Sequence, residues 1–206
     1  MKSPRTVLLA TVVVVAMGGQ LALAGTIKGT VTASKKKLLP HTIVYVDSIK
    51  GDFECPKEHV LMNQKNSVFV PHVLPVLAGT TVDFKNSDDV AHNVFTPDKN
   101  ADKFNLGTWP SGEIRSHTFE KRCDKVCDAV MLCNVHPEME AFVLIMENPY
   151  FAVANDSGYF EIPKVPAGGQ TIRIWHPTMD AEAQQVNVAD SGSVAIEFTL
   201  VGKKKK

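Results

Sequence analysis

After residue 25 the hydrophobic positions fall in short β-branched and aromatic runs, separated by clusters of Gly, Pro, Asn and Asp. That rhythm predicts an all-β protein of sandwich type. Ile43-Val44-Tyr45-Val46, Thr81-Val82-Asp83-Phe84, Phe142-Val143-Leu144-Ile145 and Thr171-Ile172-Arg173-Ile174-Trp175 read as strands. Leu77-Ala78-Gly79, Asn155-Asp156-Ser157-Gly158 and Pro166-Ala167-Gly168-Gly169 supply turn chemistry between them. The longest helix candidate, Met179 to Gln185, is too brief to hold as a helix.

The strand rhythm separates two units. Residues 59–148 have the size of one small sandwich, while 149–202 hold too few strands for a second unless 25–58 joins them. The expected arrangement is a central sandwich inserted into, or packed beside, a sandwich built from both ends of the chain, with Lys203 to Lys206 as a solvated basic tail.

The first 24 residues read differently. Lys2 and Arg5 precede the apolar run Val7 to Met17, and Ala22-Leu23-Ala24 offers small residues where a signal peptidase cuts, which places cleavage after Ala24. The run is short for a bilayer span, no Cys follows the cut to carry a lipid, and Arg5 has no twin. The expectation is an exported, periplasmic protein without stable membrane insertion. Without that leader the 206-residue chain carries 20 basic against 22 acidic side chains, a balance that gives nucleic acid no footing.

Candidate chemistry concentrates in Cys133-Asn134-Val135-His136-Pro137-Glu138-Met139, together with His92 upstream. A thiolate, two imidazoles and a thioether form the donor set of a blue-copper site, a His2Cys plane with a weak axial Met. One short loop presents three of them, and Pro137 stiffens it. Met131-Leu132 behind the loop and Ala141 to Met146 after it are apolar and exclude water. Asn93 has a supporting role open to it, its amide bridging the His92 segment to the backbone beside Cys133. Each of these residues also has a plainer reading: a buried Cys is often a small hydrophobe or half of a disulfide, and a His beside a strand is often merely satisfied.

Gly79-Thr80-Thr81-Val82-Asp83-Phe84-Lys85-Asn86, Ala91-His92-Asn93-Val94 and the Cys133-x2-His136-x2-Met139 spacing resemble a cupredoxin of the plastocyanin and amicyanin group over residues 59–148. The resemblance implies an eight-stranded Greek-key sandwich, one type 1 copper ion on His92, Cys133 and His136 with Met139 axial, and one-electron transfer between redox protein partners. The flanking segments Gly25 to Val31, Asn155 to Phe160 and Val165 to Gly168 resemble the carboxypeptidase regulatory-like (transthyretin-like) sandwich, which implies a scaffold. Two departures stand out: an enlarged turn at Arg122 to Asp128 where the cupredoxin pattern has a short Gly turn, and Glu138 inside the ligand loop, whose charge favours Cu(II) and alters the docking face.

Cys55, Cys123 and Cys127 remain, with three possible disulfide pairings. A second metal site from Cys123, Cys127 and His117 is a minor alternative. His72 reads as a structural histidine in an apolar loop; His41, His59 and His176 show no partner in the sequence; Trp109 and Trp175 read as core or interface aromatics. Against catalysis, the chain has no His-x-His pair, no His-Glu-x-x-His, no Pro-Cys-x-x-Cys after His136-Pro137-Glu138 and no Gly-x-Ser-x-Gly. The expectation is therefore an electron carrier and not an enzyme. A copper-delivery protein is the alternative, although the single mixed site lacks the Met or His clusters of such carriers.

Overall fold

The computed structural model describes residues 24–47, 49–101, 103–120 and 126–203. The leader and its cleavage signal, apart from Ala24, lie outside this range, as do most of the enlarged turn and the last three lysines. No helix of the described residues is long and apolar enough to cross a membrane.

Among the described residues the strands form five sheets, and four of them make two sandwiches. The central sandwich has one sheet of Val73–Leu77, Glu140–Met146, Cys127–Leu132, His92–Thr96 and Phe104–Trp109, in that spatial order. The facing sheet runs Val68–Val70, Val60–Lys65, Thr80–Asn86 and Ile114–Phe119. Between them lies a core that includes Met62, Val82, Phe84, Val94, Trp109, Phe119, Met131 and Val143. Thr80–Asn86 shows how the sequence makes this layer: Thr80, Val82, Phe84 and Asn86 are buried, and the residues between them are not.

The central unit has nine described strands against the eight expected, because the chain changes sheets between Val68–Val70 and Val73–Leu77. Pro71 sits at the crossing, where a residue without an N–H costs the ladder nothing.

The flanking sandwich takes Ala24–Thr32, Tyr159–Pro166 and Ser193–Thr199 in one sheet, and Ile43–Asp47, Phe151–Val153, Gly168–Trp175 and Gln184–Val188 in the other. Its strands thus come from both ends of the chain and those of the central unit from the residues between. Where the chain returns, buried Asn148 donates from Nδ2 to Val46 O at 3.2 Å, and Val46 N–H donates to Tyr150 O at 2.9 Å. The segment from Met179 to Gln185 is extended: Met179–Asp180 pairs with Val201–Gly202, and Gln184 already belongs to the next strand.

The two sandwiches share a third apolar cluster. Ala141, Val143 and Ile145 face the central core, while Leu144 and Met146 face outward against Ile43 and, at its edge, Tyr45, Phe151 and Trp175 of the flanking unit. The unbroken apolar run from Ala141 to Met146 follows from burial on both faces.

Candidate metal centre

His92 opens the His92–Thr96 strand, opposite Trp109 and fully buried. The loop that delivers it is fastened by Asn86. Asn86 Nδ2 donates to Val90 O at 2.8 Å and Trp109 O at 3.1 Å, and its Oδ1 accepts the Asp88 N–H at 2.9 Å. The His92 ring is held from outside by Asp88, whose Oδ2 lies 2.8 Å from Nε2. Burial pushes the Asp88 carboxyl up, but the N–H of Ser67, the His92 ring and the N–H of Asn66 outweigh it and hold it below the usual carboxylate range.

Cys133 follows directly on the Cys127–Leu132 strand and is 3% exposed. The Asn93 N–H points at its sulfur, 3.4 Å away. Asn93 makes the bridge suggested by its position: its Oδ1 accepts the Asn134 N–H at 3.3 Å, and its Nδ2 donates to Asn105 Oδ1 and Gly107 O at 2.8 and 2.7 Å. The loop then turns tightly, with Met139 N–H donating to His136 O at 3.0 Å. This turn leaves His136 half-buried and the Met139 side chain buried in the same apolar cluster as Cys133.

One donor atom each from His92, Cys133 and His136 lies within 4.8 Å of the others, the one such cluster of three among the described residues. The Nδ1 atoms of His92 and His136 are 3.0 Å apart, and Cys133 Sγ is 4.0 Å from His92 Nδ1. Two imidazole nitrogens and a sulfur aimed at one point in an apolar setting call for a cation or a shared proton. The donor types, soft sulfur with imidazole and a neighbouring thioether, fit copper better than a hard cation.

The other candidates disperse. Cys127 is disulfide-bonded while Cys55 and Cys133 are free, so neither pairing through Cys55 forms; Cys123 lies outside the described residues. That bond also removes Cys127 from the second metal site, and His117 stacks on Phe104 with ring centroids 3.8 Å apart. His59 and His72 have partners: Nδ1 of His59 meets Asp83 Oδ1 at 2.9 Å, and Nδ1 of His72 meets Glu140 O at 3.0 Å. Trp109 is core and Trp175 lies at the seam.

Asp88 and Asn86 are the site residues that sequence reasoning passed over. Both stand in the polar stretch before His92, and nothing in their spacing separates a loop-fastening amide or an orienting carboxylate from ordinary solvated side chains.

Neither a family model nor a curated relative matches the chain. Among solved structures it is similar to a purple cupredoxin from Nitrosopumilus maritimus, at 23% identity over 42% of this chain and 99% of that one, with a TM-score of 0.36. It is similar to amicyanin from Paracoccus versutus at 20% identity over 50% of this chain and 97% of that one, TM-score 0.39. A Cu-containing nitrite reductase from Thermus scotoductus SA-01 aligns at 21% identity over 57% of this chain, TM-score 0.41, and only 28% of that protein is spanned.

Proposed function

We propose that the chain is an exported cupredoxin-type electron carrier that holds one type 1 copper ion on His92, Cys133, His136 and Met139. The observation that carries this reading is the convergence of two imidazole Nδ1 atoms and one thiol on a single buried point, beside a buried thioether. Copper bound there supplies a one-electron Cu(I)/Cu(II) couple suited to soft sulfur in one state and imidazole in the other.

The chain's own residues do the rest. Asn86 and Asn93 fasten the two ligand segments to the sandwich, so that the donors keep their places whatever the oxidation state. His92, Cys133 and Met139 are sealed from solvent, and only the His136 ring approaches the surface, between exposed Val135 and Pro137. That apolar rim suits brief contact with redox protein partners. With three of the four candidate donors buried, the site admits electrons more readily than a substrate, and on that ground we read a carrier and not an enzyme.

The leader places the protein in the periplasm on this reading. The flanking sandwich is read as carboxypeptidase regulatory-like, supported by its turn: Asn155 Oδ1 accepts the N–H groups of Ser157 and Tyr159, both at 2.9 Å.

The test is the visible and EPR spectrum of Cu(II)-loaded mature protein beside Cys133→Ser. An intense thiolate-to-copper absorption with narrow hyperfine splitting, lost in the variant, is expected. A colourless protein with ordinary tetragonal copper signals, unchanged by the substitution, overturns the assignment.

A further inference from the structure

Three imidazoles outside the candidate metal centre meet where the two sandwiches join. His41 closes the short helix Lys36–His41 of the flanking unit, just before the strand that opens at Ile43, and His72 stands directly before Val73. Ile43 and Val73 are buried in the apolar cluster at the seam, so each histidine is carried on backbone that the seam itself holds. The His41 and His72 rings lie 4.7 Å apart, centroid to centroid, tilted by 41°. His176 stacks on His41 at 6.3 Å and 23°.

The three rings are not equivalent. His176 uses both nitrogens within the protein: Nε2 meets Leu38 O at 3.1 Å, and Nδ1 accepts the N–H groups of Thr178 and Met179 at 3.1 and 3.0 Å. His72 uses one, its Nδ1 held by Glu140 O at 3.0 Å. Its Nε2 has no hydrogen bond to the described residues, and neither nitrogen of His41 has one. Both of these rings are half-buried.

Two imidazole nitrogens on one metal, each about 2.0–2.1 Å from it and roughly 90° to 110° apart, put the ring centroids about 4.5 to 5 Å from each other. His41 and His72 already have that separation, and it equals the 4.7 Å between His92 and His136. A backbone carbonyl on the outer nitrogen, as Glu140 O provides for His72, is also the usual means of orienting a metal-binding imidazole. We propose that His41 and His72 form a second metal site, a two-imidazole clamp across the seam that takes a borderline divalent cation such as Zn(II), Ni(II) or Cu(II), with water in the remaining positions. Nitrogen donors without a carboxylate disfavour Ca(II) and Mg(II). One ligand comes from each sandwich, so a bound ion fastens the flanking unit to the central one. This site is independent of the copper reading of His92, Cys133 and His136.

The test is calorimetric titration of Zn(II) into the metal-free mature chain carrying Cys133→Ser and His136→Gln, which disables the other centre, with the fold checked by the backbone amide spectrum. One equivalent is expected to bind in the micromolar range, moving the amide signals of His41, Thr42, His72 and Val73 and raising the melting temperature. Adding His41→Gln or His72→Gln is expected to weaken binding by about 100-fold or more and to abolish that rise, since losing a ligand costs at least as much as losing its outer partner. Zn(II) that does not bind, that moves only signals elsewhere, or that binds as tightly in both histidine variants overturns the site. If the double variant does not fold, the same amide signals are followed in the wild-type chain. His41→Gln must then lose the response at His72 and Val73 while His92 and Asn134 still respond, and a seam response that survives the substitution overturns the site there too.

Discussion

Asn93 and Asn134 each follow a candidate ligand by one residue, and they are joined directly: the side-chain Oδ1 of Asn93 accepts the backbone N–H of Asn134 at 3.3 Å. The strand that starts at His92 and the loop that starts at Cys133 thus have a common fastening. Its other end is fixed, because Asn93 Nδ2 donates to Asn105 and Gly107 on the neighbouring strand.

Asn93→Ala removes all three side-chain bonds from a site that is 2% exposed. The expected loss is about 2 to 3 kcal/mol of unfolding free energy, since the Asn134 N–H and Gly107 carbonyl are left to find water. Urea denaturation of the metal-free protein measures it. Copper-loaded variant protein should show a shifted and broadened visible band, because Cys133 is no longer held in register with His92. An unfolding midpoint equal to that of the wild type would mean the bridge is not made in solution.

The seam between the sandwiches is built around an apolar cluster. Leu144 is fully buried there, against residues of both units. Leu144→Lys puts an unpaired ammonium into that seam, and the expected cost is about 3 kcal/mol or more. Leu144→Ala leaves a cavity and is expected to cost about 2 to 4 kcal/mol. Because Leu144 faces away from the central core, both variants should retain the copper spectrum at low temperature while melting earlier. Calorimetry of the copper-loaded proteins checks the two together; a lost spectrum with unchanged melting would show that the residue faces the site instead.

Much of this organisation was legible. The strand rhythm and the donor-rich Cys133 to Met139 loop are visible because hydrophobic period and residue chemistry are local properties of sequence. The Ala141 to Met146 run was legible as apolar but not as a seam, since a fully buried strand reads the same whether its outer face meets a second domain or its own. The segment around His72 reads as an apolar loop, whereas strands Val68–Val70 and Val73–Leu77 flank it and lie in different sheets. The Met179 to Gln185 segment is extended because Met179 and Asp180 find a partner strand in Val201 and Gly202, a pairing across some twenty residues that no local pattern shows. Asp88 was hidden for the same reason: its work depends on Asn66 and Ser67, which fold beside it only once the sheets face each other.

Gly158 offers a test confined to the flanking unit. It has φ of 85°, and a Cβ added there would lie 2.0 Å from the carbonyl oxygen of Val31. Gly158→Ala therefore combines a left-handed backbone position with a clash against backbone that cannot turn aside. A loss of about 2 kcal/mol or more is expected, with the visible copper band unaltered. Thermal melts and the absorption spectrum of one preparation decide it, and a variant as stable as the parent would mean the Asn155–Gly158 turn opens freely.

His41 and His176 of the flanking unit gather beside His72 of the central unit, with ring centroids 4.7 Å apart for His41 and His72 and 6.3 Å for His41 and His176. His176 is already committed in neutral form, its Nε2 donating to Leu38 O at 3.1 Å and its Nδ1 accepting the N–H groups of Thr178 and Met179. Burial, then the neighbouring His72, lowers the pKa of His41; burial lowers that of His176 against the pull of Leu38 O, with His41, Lys203 and His72 adding to the fall. The sign follows from linkage. A histidine held below its unfolded value of 6.5 stays neutral in the folded protein while the unfolded chain takes up its proton. Stability is therefore full above that value and declines as pH falls below it towards the folded pKa. Urea midpoints measured from neutral pH downward should decline more steeply for the wild type than for His41→Gln, which removes one imidazole and relieves His176. His92, Cys133 and His136 are common to both proteins, so their own titration cancels in the comparison. Parallel curves for the two proteins would show that these three imidazoles do not sense one another across the seam.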